Sequence, residues 1–398
     1  MRKLITYFLL LIVFNFFIVG IVFAQAIAPD PTRLSVGGRI LGMGKAFVGL
    51  TDDVGALYTN PAGLGNIADW QITSMSGNFL EDFTYLNIAG VYPTNFGVFG
   101  AGYTSSTIAG GYATRVKEGS NPNDPVYEID PTQPTINYFN NVGIISYGNK
   151  LQNFKIPFSI PYETLFGANL KLFFAGMSGD GITQGSASGR ELDLGILVKL
   201  NPWLSLGSTV QNILPSSMGG KLTYATGHEE SYPAVWENGI AVNLKKLNGL
   251  NVKLLFDFDY YPTRKGYPII YHTGFEWIPV NLVSIRAGID QDAAGDGSGS
   301  KLSAISNLTA GVGLNYNNFK FDYAFHQFTG AAGMTNSFFS LSYDHSFNAK
   351  DTAKAKSKWD IEKVITPEAK SVIVVPPKKI PAKTVKGGAK NVKKKSAK

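Results

Sequence analysis

The sequence has no cysteine among its 398 residues. Disulfide bridges, thiol catalysis, thiolate metal centres and a lipid anchor on cysteine are therefore excluded. Charged residues make up only 16% of the chain, and the four histidines lack the spacing of a metal site. His272 and His326 fall on the polar face of predicted strands and are interpreted as hydrogen-bonded interior residues. The chain is accordingly predicted to hold no cofactor and to catalyse no reaction.

Two glycine-rich stretches lack the residues that would make them catalytic or nucleotide-binding motifs. Gly44-Lys45 has Arg39 where a phosphate-binding loop needs its first glycine, and Ala46 where that loop needs Ser or Thr. The stretch GSASG has Ala187 at the nucleophile position of a hydrolase elbow. Neither nucleotide binding nor lipase-type hydrolysis is therefore expected.

Glycine and aromatic residues are abundant, with 44 glycines and 13% aromatic side chains, which favours β-structure. Residues 1–24 have the pattern of a signal peptide: Arg2 and Lys3, the apolar run Leu4–Phe23, and small residues around a cleavage site after Ala24. The apolar run is also long enough to act as a retained membrane anchor. The predicted organisation is a leader (1–24), a glycine-rich segment (25–69), a strand-rich body (70–348) and a tail (349–398).

Residues 70–348 alternate between apolar and polar side chains in one segment after another. In FKFDYAFH, Phe319, Phe321, Tyr323 and Phe325 share one face, and the other four residues share the opposite face. Such alternation predicts a sheet with two chemically different faces. A soluble β-sandwich alternates too, with its apolar face inward, so the pattern alone does not identify the solvent.

The connections between strands favour a membrane barrel. Fourteen strands are predicted, near residues 70, 84, 95, 142, 163, 190, 203, 235, 250, 269, 282, 307, 319 and 337. Short turns alternate with mostly longer loops, as in bacterial transmembrane barrels, although 150–162 is long for a turn and 79–83 is short for a loop. Trp203, Trp236 and Trp277 fall near strand ends, where an aromatic belt is expected. The predicted fold class is therefore all-β, an antiparallel up-and-down transmembrane barrel in the bacterial outer membrane.

The glycine-rich segment 25–69 is predicted to form a hatch in the lumen of that barrel. Asp52 and Asp53 can cap a short helical turn, and Asn60 before Pro61 is restricted to extended geometry. A barrel of about fourteen strands is too wide for its own side chains to fill, so its lumen holds water or a plug. A compact segment at the N-terminal side of the first strand is suited to be that plug.

A family resemblance appears in this segment. RILGMGKAFVGLTDDVGALYTNPAGLGNI resembles the N-terminal signature of the FadL-type outer-membrane barrels, and is closest to their PorV/PorQ branch. ELDLGILVKLNPWLSLGSTVQNI and GFEWIPVNLVSIRAGID are similar to that branch in order and spacing. The resemblance covers roughly residues 33–347 and implies hatch residues at the following positions: Asp52, Asp53, Asn60, Pro61, Ala62 and Gly63.

The resemblance implies two functions, and both place the chain in contact with outer-membrane lipid. Members of the PorV branch serve type IX secretion by docking secreted proteins at the cell surface, which is the first expectation for this chain. The alternative is FadL-like uptake of small hydrophobic compounds across the outer membrane. Secreted proteins or secretion components are the partners in the first case, and a small hydrophobic ligand in the second.

Charged residues on the polar face are candidates for ion pairs that hold the hatch. The predicted participants are Arg33, Arg39, Lys45, Glu191, Asp193, Arg286 and Asp322. A simply hydrated lumen is the alternative. The stretch DQDAAGDGSGS places Asp290, Asp292 and Asp296 among glycines, which is a possible calcium loop, but it lacks EF-hand spacing and a terminal Glu. An outside loop without metal is the preferred interpretation.

The tail carries most of the positive charge. From Ala349 onward there are fifteen lysines and four acidic residues, a balance of +11, which leaves −4 of the +7 total for the rest of the chain. The tail is expected to be disordered and, because the strand number is even, periplasmic. Anionic lipid, peptidoglycan or an acidic periplasmic partner could bind it there, and no nucleic acid is expected as a partner.

Overall fold

The computed structural model describes residues 26–345 except for nine short gaps: 28–29, 34–36, 80–82, 156–159, 180–181, 183–184, 246–249, 296–301 and 330–333. The predicted leader (1–24) and lysine-rich tail (349–398) lie outside the described residues, so both stay predictions.

The described chain is built from β-strands with a few short helices. The strands are β1 (Ala26–Ile27), β2 (Gln71–Phe79), β3 (Phe83–Thr94), β4 (Gly97–Gly111), β5 (Thr114–Val116), β6 (Tyr127–Ile129), β7 (Ile136–Lys150), β8 (Glu163–Ser178), β9 (Ser186–Asn201), β10 (Leu204–Gln211), β11 (Leu222–Tyr224), β12 (Glu229–Ser231), β13 (Val235–Asn243), β14 (Val252–Tyr260), β15 (Ile270–Val280), β16 (Val283–Gly295), β17 (Leu302–Tyr316), β18 (Phe319–Phe328) and β19 (Met334–Asp344). The helices are one α-helix, Gly38–Gly42, and 3-10 helices at Pro31–Arg33, Val54–Leu57, Pro61–Asn66, Leu151–Asn153 and Ser216–Met218. Within the described part of the chain, no helix is both long enough and apolar enough to cross a bilayer.

Fourteen strands form a closed antiparallel barrel: β2, β3, β4, β7, β8, β9, β10 and β13–β19. Each pairs with the next in chain order, and β19 pairs with β2 to close the ring, with Leu341 opposite Ser74. The prediction of a fourteen-stranded barrel is confirmed. Five short strands were not predicted. Of these, β5 pairs with β6, β11 and β12 form a hairpin whose first strand also pairs with β9, and β1 lies parallel to β12.

The barrel has two different ends. At one end, here called the loop end, the long connections 112–135 and 212–234 carry the small hairpins. At the other, the turn end, most connections are two residues long, such as 95–96 and 317–318. Two connections remain exceptions to this pattern of lengths: the one between β7 and β8 is long although it lies at the turn end, and the one between β2 and β3 is short although it lies at the loop end. In barrels of this class the longer loops face the outside of the cell.

The outer face of the barrel is apolar and the inner face is polar. In β17, Leu308, Val312 and Leu314 are exposed, whereas Asn307 and Thr309 on the opposite face are buried. A soluble sandwich would show the reverse burial, so that alternative is excluded. A closed barrel satisfies its backbone hydrogen bonds internally, and an apolar outer face requires lipid around it. The predicted location in a bacterial outer membrane is confirmed.

Aromatic side chains gather near the turn end of this outer face. Trp70 stacks on Tyr343 with ring centroids 4.9 Å apart, and Trp277, three residues before the end of β15, is half-exposed. Phe319, at the start of β18, packs edge-on against Tyr343. Such rings mark the level of the lipid headgroups.

Candidate functional site

Residues Gly37–Ile67, here called the lumenal segment, pack against the inner face of the barrel. Side chains of this segment, including Met43, Phe47 and Leu57, form one apolar cluster with wall residues such as Val142 and Leu255. Leu255 lies on an otherwise polar face, and its burial against this cluster explains why it interrupts the alternation of β14. The main apolar core therefore lies between the segment and the wall.

Two capped 3-10 turns shape the lumenal segment. Asp53 caps the turn Val54–Leu57, with its Oδ1 accepting from the Gly55 N–H at 2.8 Å. Asn60 caps Pro61–Asn66, with its Oδ1 accepting from the Ala62 N–H at 3.2 Å and its own backbone extended, as the following proline requires. Asp52, the other predicted cap, pairs instead with Arg39 and Lys253.

The Asn60 side chain also ties the segment to the wall. Its Nδ2 donates to the carbonyl of Val48 within the segment, at 3.2 Å, and to that of Ile196 on β9, at 3.0 Å. Asn60 is fully buried, and the neighbouring Pro61 and Ala62 are buried with it. One amide therefore joins two parts of the segment to a barrel strand.

Glycines on the wall make room for this contact. A Cβ at Gly195 would lie 2.1 Å from Asn60 Oδ1, one at Gly167 would lie 2.2 Å from the Pro61 carbonyl carbon, and one at Gly207 would lie 2.0 Å from the Val48 oxygen. Gly167 and Gly195 are direct partners across β8 and β9. Sequence analysis missed these residues. The signal available in the sequence was a glycine at an inward-facing position of a strand whose other inward-facing residues have larger side chains.

A first group of charges, the turn-side cluster, joins the segment to the wall in the half of the barrel nearer the turn end. Its members are Arg39, Asp52, Asp53, Lys253, Glu276, Arg286 and Asp322. Glu276 is at its centre, because it accepts from Arg39 twice at 2.9 Å and from Lys253 and Arg286 at 2.9 Å each. Its carboxylate is 1% exposed.

A second group, the loop-side cluster, lies nearer the loop end. Its members are Arg33, Lys45, Glu237, Asp259, His272, Asp290 and His326. Arg33 pairs with both Glu237 and Asp259. Lys45 pairs with Asp290 at 2.7 Å, and the same carboxylate contacts both histidines at 2.8 Å.

A third buried contact lies at Lys171, whose ammonium is 3.0 Å from both Asp30 and Asp193. All three side chains are almost completely buried. Asp30 precedes the lumenal segment, so this contact fixes the chain to β8 and β9.

Participants in these ion pairs were predicted from the sequence, but not which residues pair. In the structure Arg33, Arg39 and Lys45 pair with the wall through Glu237, Asp259, Glu276 and Asp290. Asp193 binds Lys171, Asp322 binds Arg286, and Glu191 accepts from the Leu214 N–H at 3.0 Å. These pairings are set by barrel register, which a sequence does not reveal.

Two of the three candidate calcium residues are described, and each contacts another side chain. Asp290 faces inward against Lys45, and Asp292 accepts from Asn307 Nδ2 at 2.7 Å. Asp296 lies outside the described residues. Across those that are described, no group of three or more His, Asp or Glu side chains is placed to hold a metal ion.

Ion pairs hold Asp30 and Lys45 in their charged forms. Burial alone would raise the pKa of Asp30, but the Lys171 ammonium and hydrogen bonds from Thr32 outweigh it and lower that pKa below its usual value. Burial would lower the pKa of Lys45, but the Asp290 carboxylate more than offsets this and raises it. Both residues are therefore charged at neutral pH.

A cavity of about 410 Å³ lies between the lumenal segment and the loop end. Its polar lining includes Arg33, Lys45, Glu237 and Asp292, and its aromatic lining is Tyr58, Tyr261, Tyr267 and Phe328. This volume is within the range of small-molecule sites.

Comparison with solved structures identifies the fold. A variant of the monoaromatic hydrocarbon channel TodX superposes with a TM-score of 0.53 at 13% identity, over 77% of this chain and 98% of that one. The chain has a FadL-type barrel fold. The Ralstonia pickettii toluene transporter TbuX gives a TM-score of 0.49 at 13% identity, over 77% of this chain and 98% of that one. A Pseudomonas aeruginosa FadL homologue gives 0.42 at 12% identity, over 81% and 100%.

Sequence comparison adds nothing to this, because no protein-family model and no curated protein matches the chain. The similarity to FadL-type barrels is therefore one of fold.

Proposed function

We propose that this protein admits small hydrophobic compounds across the outer membrane. The supporting observation is the combination of a FadL-type barrel with a cavity of about 410 Å³ between the lumenal segment and the loop end. The TodX variant, which superposes with a TM-score of 0.53, is a monoaromatic hydrocarbon channel. A cavity of this size suits a single-ring molecule.

In this proposal the lumenal segment acts as the hatch. It crosses the interior beneath the cavity, and its contacts with the wall are the apolar cluster, glycine packing, buried amide hydrogen bonds and ion pairs. The polar contacts can exchange partners at small cost, so the loss of apolar burial in the cluster sets the main cost of a shift. Passage would then require displacement of the segment from the wall.

A disulfide between the lumenal segment and the wall tests both the import of hydrophobic compounds and the role of the segment as a hatch. The Gly38 N–H donates to Ser340 Oγ at 3.3 Å, and a Cβ at Gly38 would lie 2.9 Å from that oxygen. This is close to the separation of about 3 Å between a Cβ and its partner's sulfur in a disulfide. In a strain lacking its own hydrocarbon channels, the unmodified protein should raise the uptake of labelled toluene several-fold. Oxidised Gly38→Cys/Ser340→Cys should reduce uptake to background, and a reducing agent should restore it.

The two single-cysteine variants are the matched controls, because the native chain has no thiol with which they could pair. Toluene uptake no faster than in cells without the protein would refute the import proposal. Full uptake through the oxidised double variant would refute the hatch alone.

A second candidate function, docking of secreted proteins, is favoured by one observation. The hairpin β5–β6 and its flanks at the loop end expose large apolar side chains: Tyr112, Val116, Val126, Tyr127 and Ile129. Exposed apolar patches of this kind mark interaction surfaces.

Removal of the hairpin tests this docking role. Because β4 ends at Gly111 and β7 begins at Ile136, deletion of 112–135 with a short Gly-Ser linker leaves both barrel strands intact. We expect secreted proteins to co-purify with the complete chain and to be lost from the deletion variant. Their retention would assign any docking to another surface, and toluene uptake by the same variant serves as the control for barrel integrity.

A further inference from the structure

Carboxylates are the most numerous ionisable groups in the lining of the cavity beneath the loop end. Four carboxylates line it, those of Glu237, Asp257, Asp259 and Asp292, whereas the cations are Arg33 and Lys45, with His272 as a third when protonated. A ligand that enters this cavity exchanges much of its hydration water for contacts with these groups. The charges of the lining side chains therefore affect the affinity strongly.

The cations in the lining are already occupied. Arg33 is held by Glu237 and Asp259, and Lys45 by Asp290 at 2.7 Å. An anionic ligand, such as a carboxylate, would have to take these cations from their partners. It would also have to approach the carboxylates that remain.

Asp292 is placed differently from the other carboxylates. It is half-buried in the cavity lining, and its Oδ2 accepts from a neutral donor, the Asn307 side-chain amide, at 2.7 Å. A charged donor on a ligand could therefore bind to it without displacing a protein cation.

Aromatic rings complete the lining on the loop side. Tyr261 and Tyr267 have ring centroids 4.3 Å apart, and Phe328 also lines the cavity. The guanidinium of Arg264 lies 3.9 Å from the centroid of Tyr267, and that of Arg33 lies 5.7 Å from the centroid of Tyr261. Aromatic rings attract cations through their faces, so this lining combines apolar surface with affinity for positive charge.

We propose that this cavity binds small organic cations, in which a protonated amine is carried on an apolar ring, with the ammonium at Asp292 and the ring against Tyr261, Tyr267 and Phe328. This inference rests on the proposed import function and narrows its substrate class. It distinguishes the site from one for neutral hydrocarbons or fatty acids.

Three probes of similar shape test the charge preference: phenethylamine, phenylacetate and ethylbenzene. With the purified full-length protein in detergent, calorimetry should show binding of the amine at least about tenfold tighter than the carboxylate, as expected for one charge-assisted hydrogen bond. Asp292→Asn should weaken the amine about tenfold and leave ethylbenzene unchanged. Equal binding of amine and carboxylate, or an unchanged amine affinity in Asp292→Asn, would overturn the assignment.

Two further measurements keep the result interpretable. Glu163→Gln, which neutralises an exposed carboxylate at the turn end, should leave all three affinities unchanged. If Asp292→Asn fails to fold, Tyr267→Leu in the connection 261–269 provides the second variant, and it too should weaken the amine. Uptake of ethylbenzene by cells, without any preference for the amine in calorimetry, would refute this inference and keep the import function. Amine binding without cellular uptake of any probe would refute the import function and keep the amine site.

Discussion

Replacing Gly195 by leucine is expected to displace the lumenal segment and to raise the conductance of the barrel. A Cβ at this position would lie 2.1 Å from Asn60 Oδ1 and 3.0 Å from Pro61 Cδ, and the rest of a leucine would extend further into both residues. Asn60 would have to give up its contacts with Ala62, Val48 and Ile196. Overpacking costs about 1–3 kcal/mol and each lost hydrogen bond about 1 kcal/mol, so the displaced state should gain about tenfold or more in population.

Single-channel recording in planar bilayers measures this effect. The control is Gly143→Leu on β7, because a Cβ there meets no atom within 4 Å and the residue lies between the inward-facing Val142 and Ile144. Gly143→Leu should leave the conductance unchanged. An equally small conductance for Gly195→Leu would mean that the segment does not limit the opening.

Glu276→Gln is expected to produce the largest loss of stability among single charge changes in the lumen. The glutamine keeps the shape but removes the charge that three cations share, those of Arg39, Lys253 and Arg286. Breaking a buried ion pair costs about 3–5 kcal/mol. We expect about 3 kcal/mol, at the lower end, because each cation keeps a second partner among Asp52, Asp53 and Asp322.

Urea unfolding in detergent micelles gives the free energy, and trypsin cleavage after Arg39 reports whether the segment has been released. Glu163→Gln is again the matched control. Its carboxylate is 39% exposed and pairs with Lys150 and Lys199 at 2.9 and 3.0 Å, so about 0–1 kcal/mol is expected. Equal losses in the two variants would show that Glu276 is no more important than a surface carboxylate.

The barrel could be predicted from sequence because its signal is local. Alternation within a strand such as Phe319–Phe328 needs no knowledge of its neighbours, and a turn as short as Asn317–Asn318 fixes which strand comes next. The small strands of the hairpins β5–β6 and β11–β12 were missed since three residues are too few to show a period of two.

The details of the site depend on contacts between distant residues. Arg39 and Glu276 are 237 positions apart, and Lys45 meets Asp290 only because the segment follows one particular path through the interior. From sequence, Gly195 and Gly207 could be interpreted as flexible strand positions. In the structure, their missing side chains leave the space that Asn60 and Val48 occupy. The capped turn after Asp53, by contrast, could be predicted because the cap and its target are two residues apart.

The lumenal segment is continuous with β2, which is the strand that meets β19 to complete the ring. The other end of the described chain, Ala26–Ile27, lies alongside β12 near the loop end. The polypeptide thus threads the interior before its first wall strand begins. During biogenesis β2 and β19 are therefore expected to pair around a lumenal segment that is already inside the barrel. Folding of this segment would then precede completion of the barrel.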